Sequence, residues 1–316
     1  MISPLQLSAI VPASHAGKRL DQALAEMFPE HSRSRLQGWI KSGELQVNSR
    51  PASQRQKVTG GESITLHTLY TPHQDWEAEE IPLDVVFQDE WVLVINKPAG
   101  LVVHPGAGNP AHTLLNALLH HDPRLAVVPR AGIVHRLDKG TSGAMLVART
   151  PEVHTFLVAE LQKRTISREY EAIVSGVMTA GGTIRLPIGR HPVKRTRMAV
   201  VQDGRNAVTH YRIIRKYRAH THVRILLETG RTHQIRVHLS HLHYPIVGDP
   251  EYRSRAMIPR GCSEELTLGL QTFPRQALHA RSIGFNHPET GKHMSCDTEL
   301  PEDMLTLLEL LRKNDN

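Results

Sequence analysis

The stretch Gly132-Ile133-Val134-His135-Arg136-Leu137-Asp138-Lys139-Gly140-Thr141-Ser142-Gly143 sets one carboxylate among cations and runs into an apolar segment, Ala144-Met145-Leu146-Val147-Ala148. A carboxylate on a tight loop that leads into a buried strand is a plausible active-site group. Arg136 and Lys139 beside it favour its charged form. A loop aspartate is also a common turn residue or helix cap, and chemistry alone leaves both readings open.

Two other patterns invite chemistry and carry less. His233, His238, His241 and His243 cluster near a predicted helix, and His238 and His241 stand at i, i+3, a spacing that can ligate a metal. No HExxH is present, no cysteine joins them, and acids are scarce until Asp249, so they read as polar contacts rather than a zinc site. Gly106-Ala107-Gly108-Asn109-Pro110-Ala111 formally matches GxGxxA. Its glycines come ten residues after the preceding strand, with a proline inside and no acid between Arg124 and Leu137, which disfavours a nucleotide cofactor.

The elements that must position Asp138 follow from periodicity and punctuation. Leu20, Leu24, Met27 and Phe28 predict an amphipathic helix over 17–28, and Ser32 can cap a second over 33–41, which Gly43 stops. Short strands at 45–48 and 62–66 complete a unit near the lower size limit for independent folding. Residues 70–82 are polar, acidic and bounded by prolines, and read as a linker. The expected organisation is a small domain over 15–75, a linker over 76–82 and a large domain over 83–316. In the large domain, 83–87 and 91–95 read as buried strands. Thr150-Pro151-Glu152 opens a helix. Ser167 to Gly176 alternates as a half-buried strand, 223–228 is a further strand, and Thr232 caps a helix. Residues 250–276 read as an irregular excursion. Strands over 278–285 and 293–296 and a helix over 301–313 close the chain.

Composition narrows the function. The chain has 316 residues, 40% of them apolar, and a net charge of +7. From Arg185 to Arg218 there are ten Lys/Arg, including Arg195 and Arg197, against one acid, Asp203. A surface so uniform in sign suits a phosphate backbone better than a merely solvated face, where signs usually mix. Cys262 and Cys296 form no CxxC pair, which fits a reducing cytosol. No signal peptide and no bilayer-spanning run are read, so a cytoplasmic, soluble monomer is expected.

The letters HRLDKGTSG resemble the active-site motif of the RluA family of pseudouridine synthases. Asn96-Lys97-Pro98 with its following glycine resembles that family's first motif, Ser167-Arg168-Glu169-Tyr170 the next, and LLETGRTHQIRVHLSHLHYPIVGD the third. GKRLDQALAEMFPEHSRSRLQGWIKSGELQVNSRPA resembles the S4 RNA-binding domain. Gly140 departs from the pattern, which places a larger, often acidic residue there.

The resemblance implies an α+β fold: a large mixed, mainly antiparallel sheet with flanking helices, and a small N-terminal S4 module. It implies that a uridine in RNA is flipped out and isomerised. The N1–C1′ bond breaks, uracil turns, and a C5–C1′ bond forms, with no cofactor or metal. Asp138 is then the required carboxylate, Tyr170 lies over the target base, and Arg136 fills the gap left in the stack. Arg231 pairs with Asp138, with Arg236 in reserve. Two unit charges about 4 Å apart at an effective dielectric near 20 attract by roughly 4 kcal/mol before desolvation. Arg33, Arg35, Lys41, Arg195, Arg197 and Arg236 are the further RNA-contact candidates. The implied partner is 23S rRNA or a large-subunit precursor, with the helix 69 loop as the expected target. Two rivals are a non-catalytic RNA-binding assembly factor and an Asp-dependent glycosidase that releases uracil. The second is disfavoured because such enzymes usually pair two carboxylates.

Overall fold

The computed structural model describes residues 3–28, 31, 33–70, 76–106, 108–194, 196–253 and 255–315. The chain divides into two units, Met1–Asp75 and Trp76–Asn316.

In the first unit, strand β1 (Ser3–Ile10) precedes helices α1 (Leu20–Met27) and α2 (Arg33–Ser42). Strands β2 (Leu45–Val47), β3 (Arg50–Pro51) and β4 (Ser63–Tyr70) follow. The sheet order is β1-β4-β2-β3, so the first strand is an edge strand. The apolar stripes of both helices, Leu20 and Leu24 with Leu36, Trp39 and Ile40, bury against Leu45, Ile64 and Leu66. Asp21 is also fully buried. Arg19 holds it by paired 3.0 Å hydrogen bonds, and Gln37 adds a third of 2.6 Å. Gly43, at φ +81°, ends α2 in a backbone conformation that other residues rarely adopt.

The second unit is built on β5 (Asp84–Gln88), β6 (Val92–Lys97), β7 (Ser142–Ala148), β8 (Ser167–Ser175), β9 (Gly182–Arg185), β10 (Ile188–Arg190), β11 (Met198–Val200), β12 (Val208–Lys216), β13 (His220–Leu227), β14 (Leu278–Asn286) and β15 (His293–Asp297). Its helices are α3 (Leu114–His121), α4 (Pro151–Lys163), α5 (Gln234–His241), α6 (Glu264–Thr272) and α7 (Glu302–Lys313). The main sheet runs β5-β6-β7-β14-β8-β13-β12-β9, with β15 beside β14, while β10 and β11 form a separate hairpin. Only the β7–β14 pair is parallel among the described pairings of this sheet. The fold is α+β with a mixed, mainly antiparallel sheet.

Four local expectations are corrected. β5 is an edge strand and mostly exposed, because it pairs only with β6. β8 is buried almost throughout rather than alternating, because Tyr170, Ala172 and Val174 enter the main core while Glu171 between them pairs with buried His222 at 2.7 Å. Thr232 does not cap α5. His233 occupies the N-cap in left-handed backbone, and the Gln234 amide oxygen instead accepts from the Arg231 N–H (3.0 Å) and the Thr229 hydroxyl (2.8 Å). Within 250–276 lies α6, whose first turn holds Glu264 and Glu265 behind a Ser263 cap.

Candidate active site

Asp138 lies in the loop that enters β7, and almost every group near it fixes that loop. Gly143 makes the entry possible: at φ +114° its Cα lies so close to β14 that a Cβ would sit 2.2 Å from the Ala280 carbonyl oxygen. The His135 Nε2 accepts the Leu146 N–H at 3.0 Å, so its Nδ1 carries the proton. Burial, then Arg168, pulls His135 down to about 3, and it stays neutral. The Asp138 carbonyl accepts the Thr141 N–H, and the Lys139 carbonyl accepts from Gly100 N–H (2.8 Å) and Lys97 Nζ (3.4 Å). Lys97 has no exposed surface and also donates to the Pro98 and Leu101 carbonyls at 2.7 and 3.0 Å. Burial, then Arg275, lowers its ammonium to about 7, with Asp138 pulling the other way.

From below, Arg275 Nη1 donates to the Gly140 carbonyl at 3.1 Å. The same guanidinium forks onto Asp303 of α7 through two 2.7 Å bonds. Gln276 Nε2 donates to the Thr141 hydroxyl at 3.0 Å.

The Asp138 carboxylate pairs with Arg236, not Arg231. Arg236 Nη1 lies 3.1 Å from Asp138 Oδ2, and the other edge of the guanidinium forks onto Asp249 at 2.8 and 3.0 Å. Asp249 is fully buried and also accepts the N–H groups of Glu251 and Tyr252. Burial alone would raise its carboxyl and lower the guanidinium. Their mutual hydrogen bonds and charge win, holding Asp249 low and Arg236 high. The Arg236 guanidinium lies 5.0 Å from the centre of the Tyr252 ring. Tyr252 in turn bonds His233 Nδ1 at 2.8 Å, and His233 Nε2 stands 3.8 Å from Asp138 Oδ1.

Arg231 turns away because α5 begins only at Gln234. Its Nε donates to the Asn206 carbonyl at 3.1 Å. Burial, then Arg205 and Arg164, lowers its affinity for its proton, as expected of a cation among cations.

A cleft of about 660 Å³ opens over this arrangement. Asp138, Arg136, Tyr170, Arg231 and Arg236 all line it, together with Arg130, Arg164, Arg168 and His233. Tyr170 is 6% exposed, and burial raises its phenol above the ordinary value, so it stays protonated. Arg136 is exposed on the Asp138 loop. Lys41 is exposed at the end of α2, and Arg197 is half-buried at the base of the β10–β11 turn, where its N–H bonds the Lys194 carbonyl. Arg195 and the side chains of Arg33 and Arg35 lie outside the described residues.

Of the other clustered histidines, His241 and His243 are exposed. His238 bonds Thr209 (2.9 Å) and the Leu186 carbonyl (3.0 Å) through its two ring nitrogens. Among the described residues no three His, Cys, Asp or Glu side chains converge to hold a metal ion. Gly106 and Asn109 close a tight two-way hydrogen-bonded turn, and α3 starts only at Leu114.

Sequence reasoning missed the second carboxylate, Asp249, and the relay through Tyr252 and His233. It also missed the Arg275–Asp303 brace. One signal was present. Arg236 lies inside the helix, on a face that must bury, and a buried arginine needs a buried acid.

These features define a class of site suited to an anionic substrate: a fixed aspartate in an arginine-lined cleft on a mixed sheet. The solved structure of human RNA pseudouridylate synthase domain containing 4 is 27% identical, with a TM-score of 0.58 over 72% of this chain and 93% of that one. Human RNA pseudouridylate synthase domain containing 1 shares the fold, with a TM-score of 0.54 over 74% of this chain and 96% of that one. The family model for RNA pseudouridylate synthase matches residues 91–241, and that for the S4 domain matches 18–64. Ribosomal large subunit pseudouridine synthase D of Pseudomonas aeruginosa is 56% identical over 99% of this chain and 98% of that protein. The Escherichia coli protein of the same name is 52% identical over 99% and 96%. The chain belongs to the RluA family of RNA pseudouridine synthases, with an S4 domain at its N-terminal end. No helix among the described residues is long and apolar enough to cross a membrane.

Proposed function

We propose that this chain isomerises specific uridines of 23S rRNA or its precursor to pseudouridine, including the loop of helix 69, and does so in the cytoplasm as a monomer without cofactor or metal. The relatives named above supply the large-subunit substrate, and the motif resemblance supplies helix 69. The observation that carries the chemistry is the Asp138 carboxylate held at 3.1 Å by a guanidinium that Asp249 already fixes.

Arg236 takes Asp138 Oδ2. Oδ1 makes only the longer approach, 3.8 Å to His233, among the described residues. That oxygen is available to the nucleotide. Attack at C1′, addition to the pyrimidine ring and abstraction of a ribose proton all require a charged carboxylate with water excluded. The target base must leave its stack, at a cost of a few kcal/mol. Arg136 on the exposed loop is placed to fill the gap with its planar guanidinium. Tyr170 forms the cleft wall over the base. Burial keeps its hydroxyl protonated, and its ring is placed to stack on the uracil.

The test is pseudouridine mapping of 23S rRNA incubated with wild type and with Asp138→Asn, with RNA binding measured in parallel. Complete loss of pseudouridine with binding retained is expected. Pseudouridine that persists in the variant removes Asp138 from the chemistry. Binding by both with pseudouridine from neither favours the assembly-factor reading.

A further inference from the structure

Arg168 is the unexplained charge of the cleft. It is 9% exposed and lines the cleft, yet among the described residues no acceptor meets its Nε and no carboxylate pairs with it. Every other buried guanidinium near the loop has an acid: Arg236 has Asp249 and Asp138, and Arg275 has Asp303. A buried charge without a partner is costly, and proteins keep one where a ligand supplies the opposite charge.

The acids of the cleft are already committed. Asp138 belongs to Arg236. Glu228 is held by His210 at 2.7 Å and Arg164 at 3.3 Å. The chain has also made room for the guanidinium. A Cβ on Gly230 would lie 2.6 Å from Arg168 Nη1, and Gly230 does not adopt the left-handed backbone that would otherwise demand glycine. The guanidinium therefore packs directly against Gly230, where a side chain would displace it. Arg168 and Tyr170 stand two residues apart on β8, so they share one face of the sheet.

We propose that Arg168 is a phosphate-binding residue of the active site. Its guanidinium takes one of the two phosphodiesters that flank the flipped uridine while Tyr170 covers the base. This rests on the reaction proposed above and adds its backbone anchor. A phosphodiester fits better than a uracil carbonyl, because only an anion offsets a full buried charge, and the guanidinium fork matches two phosphate oxygens. A strand that delivers its base beside Tyr170 brings its own phosphates into the same cleft.

The experiment uses the full chain and a synthetic RNA hairpin carrying the mapped uridine, either unmodified or with a single neutral methylphosphonate on one side of that nucleotide or the other. Binding is measured across a salt series for wild type, Arg168→Met and Arg168→Lys. One of the two methylphosphonates should weaken wild type about tenfold and reduce its log–log salt slope by about 0.7. Arg168→Met should bind unmodified RNA about tenfold more weakly and be indifferent to that methylphosphonate. Arg168→Lys should keep part of the penalty, since it retains charge without the fork. Wild type insensitive to both methylphosphonates overturns the proposal, and that arm needs no variant. Equal penalties in wild type and Arg168→Met, or undiminished binding by Arg168→Met, also overturn it. If Arg168→Met does not fold, an equal penalty in wild type and Arg168→Lys together with unweakened binding by Arg168→Lys does the same. Pseudouridine formation on the unmodified hairpin is scored alongside. Its absence from wild type counts against the reaction, whereas its presence with no methylphosphonate effect counts against the phosphate anchor alone.

Discussion

A guanidinium between two carboxylates is oriented by the more deeply buried one. Asp249 has no exposed surface, whereas 18% of the Asp138 side chain remains exposed, so Asp249 sets Arg236 and Arg236 sets Asp138. Asp249→Asn should therefore lower kcat by about 10- to 100-fold while RNA binding changes little, and should cost about 1.5–3 kcal/mol of stability, because Arg236 loses its buried charge partner and keeps only the half-buried Asp138. The pH dependence has a definite sign. The Asp249 carboxyl sits below its ordinary 3.8 when folded. Its stabilisation is complete above that value and disappears as pH falls through the lower folded one. Wild type should therefore lose stability below pH 3.8 more steeply than Asp249→Asn, as measured by denaturant unfolding across a pH series. By the same geometry Arg236→Lys, which cannot fork onto two carboxylates, should lose about 100-fold in kcat. Arg231→Ala should mainly raise KM. The reverse ranking would return the pairing role to Arg231. The third motif contains both arginines, and the one sign of which turns inward is the place of Arg236 inside the helix on its burying face. That choice depends on where α5 begins, and Gln234, by accepting from Thr229 and Arg231, starts the helix one residue later than a threonine cap implies.

At the scale of elements, the Asp138 loop is a bracket held between β7 and the segment before β14. Gly140 and Gln276 share one space there: a Cβ on Gly140 would lie 2.6 Å from Gln276 Oε1. Gly140 is free of left-handed backbone, so its absent side chain answers to Gln276, which is 3% exposed and bonded to Thr141. Gly140→Ala should push Gln276 off Thr141 and cost about 1–3 kcal/mol, with kcat reduced roughly tenfold. Gln276→Ser should relieve it. A double-mutant cycle should show a coupling of about 1 kcal/mol or more in favour of the pair, and strictly additive effects would separate the two residues. The departure at Gly140 was visible in the sequence, but its partner 136 residues later was not, because only the parallel β7–β14 contact brings the two together. Local patterns read well at α1, where apolar spacing agrees with the helix, and at α4, where the Thr150 cap and apolar spacing both do. Periodicity fails where a neighbour decides burial. β5 is apolar yet an edge, and β8 alternates in sequence yet is covered on both faces.

The whole molecule is two units whose cores share no residue. Leu20, Leu36, Trp39 and Ile64 belong to one, while Leu93, Leu114, Met145 and Ile225 belong to another. The S4 match at 18–64 falls in the first unit, and the synthase match at 91–241 in the second. All the chemistry described above lies in the second. A tethered RNA-binding module adds affinity by raising the local concentration of the enzyme on the same RNA, without touching the reaction. The fragment 76–316 should therefore fold alone and isomerise a short hairpin with nearly the kcat of the full chain. On intact 23S rRNA its KM should rise roughly 10- to 100-fold, because only there can the S4 unit find a second contact. High salt should narrow that difference, since each lost phosphate contact removes its share of the salt dependence. A collapse of kcat on the short hairpin would place part of the active site in the first unit. An unchanged KM on 23S rRNA would leave the S4 domain with no role in recognising this substrate.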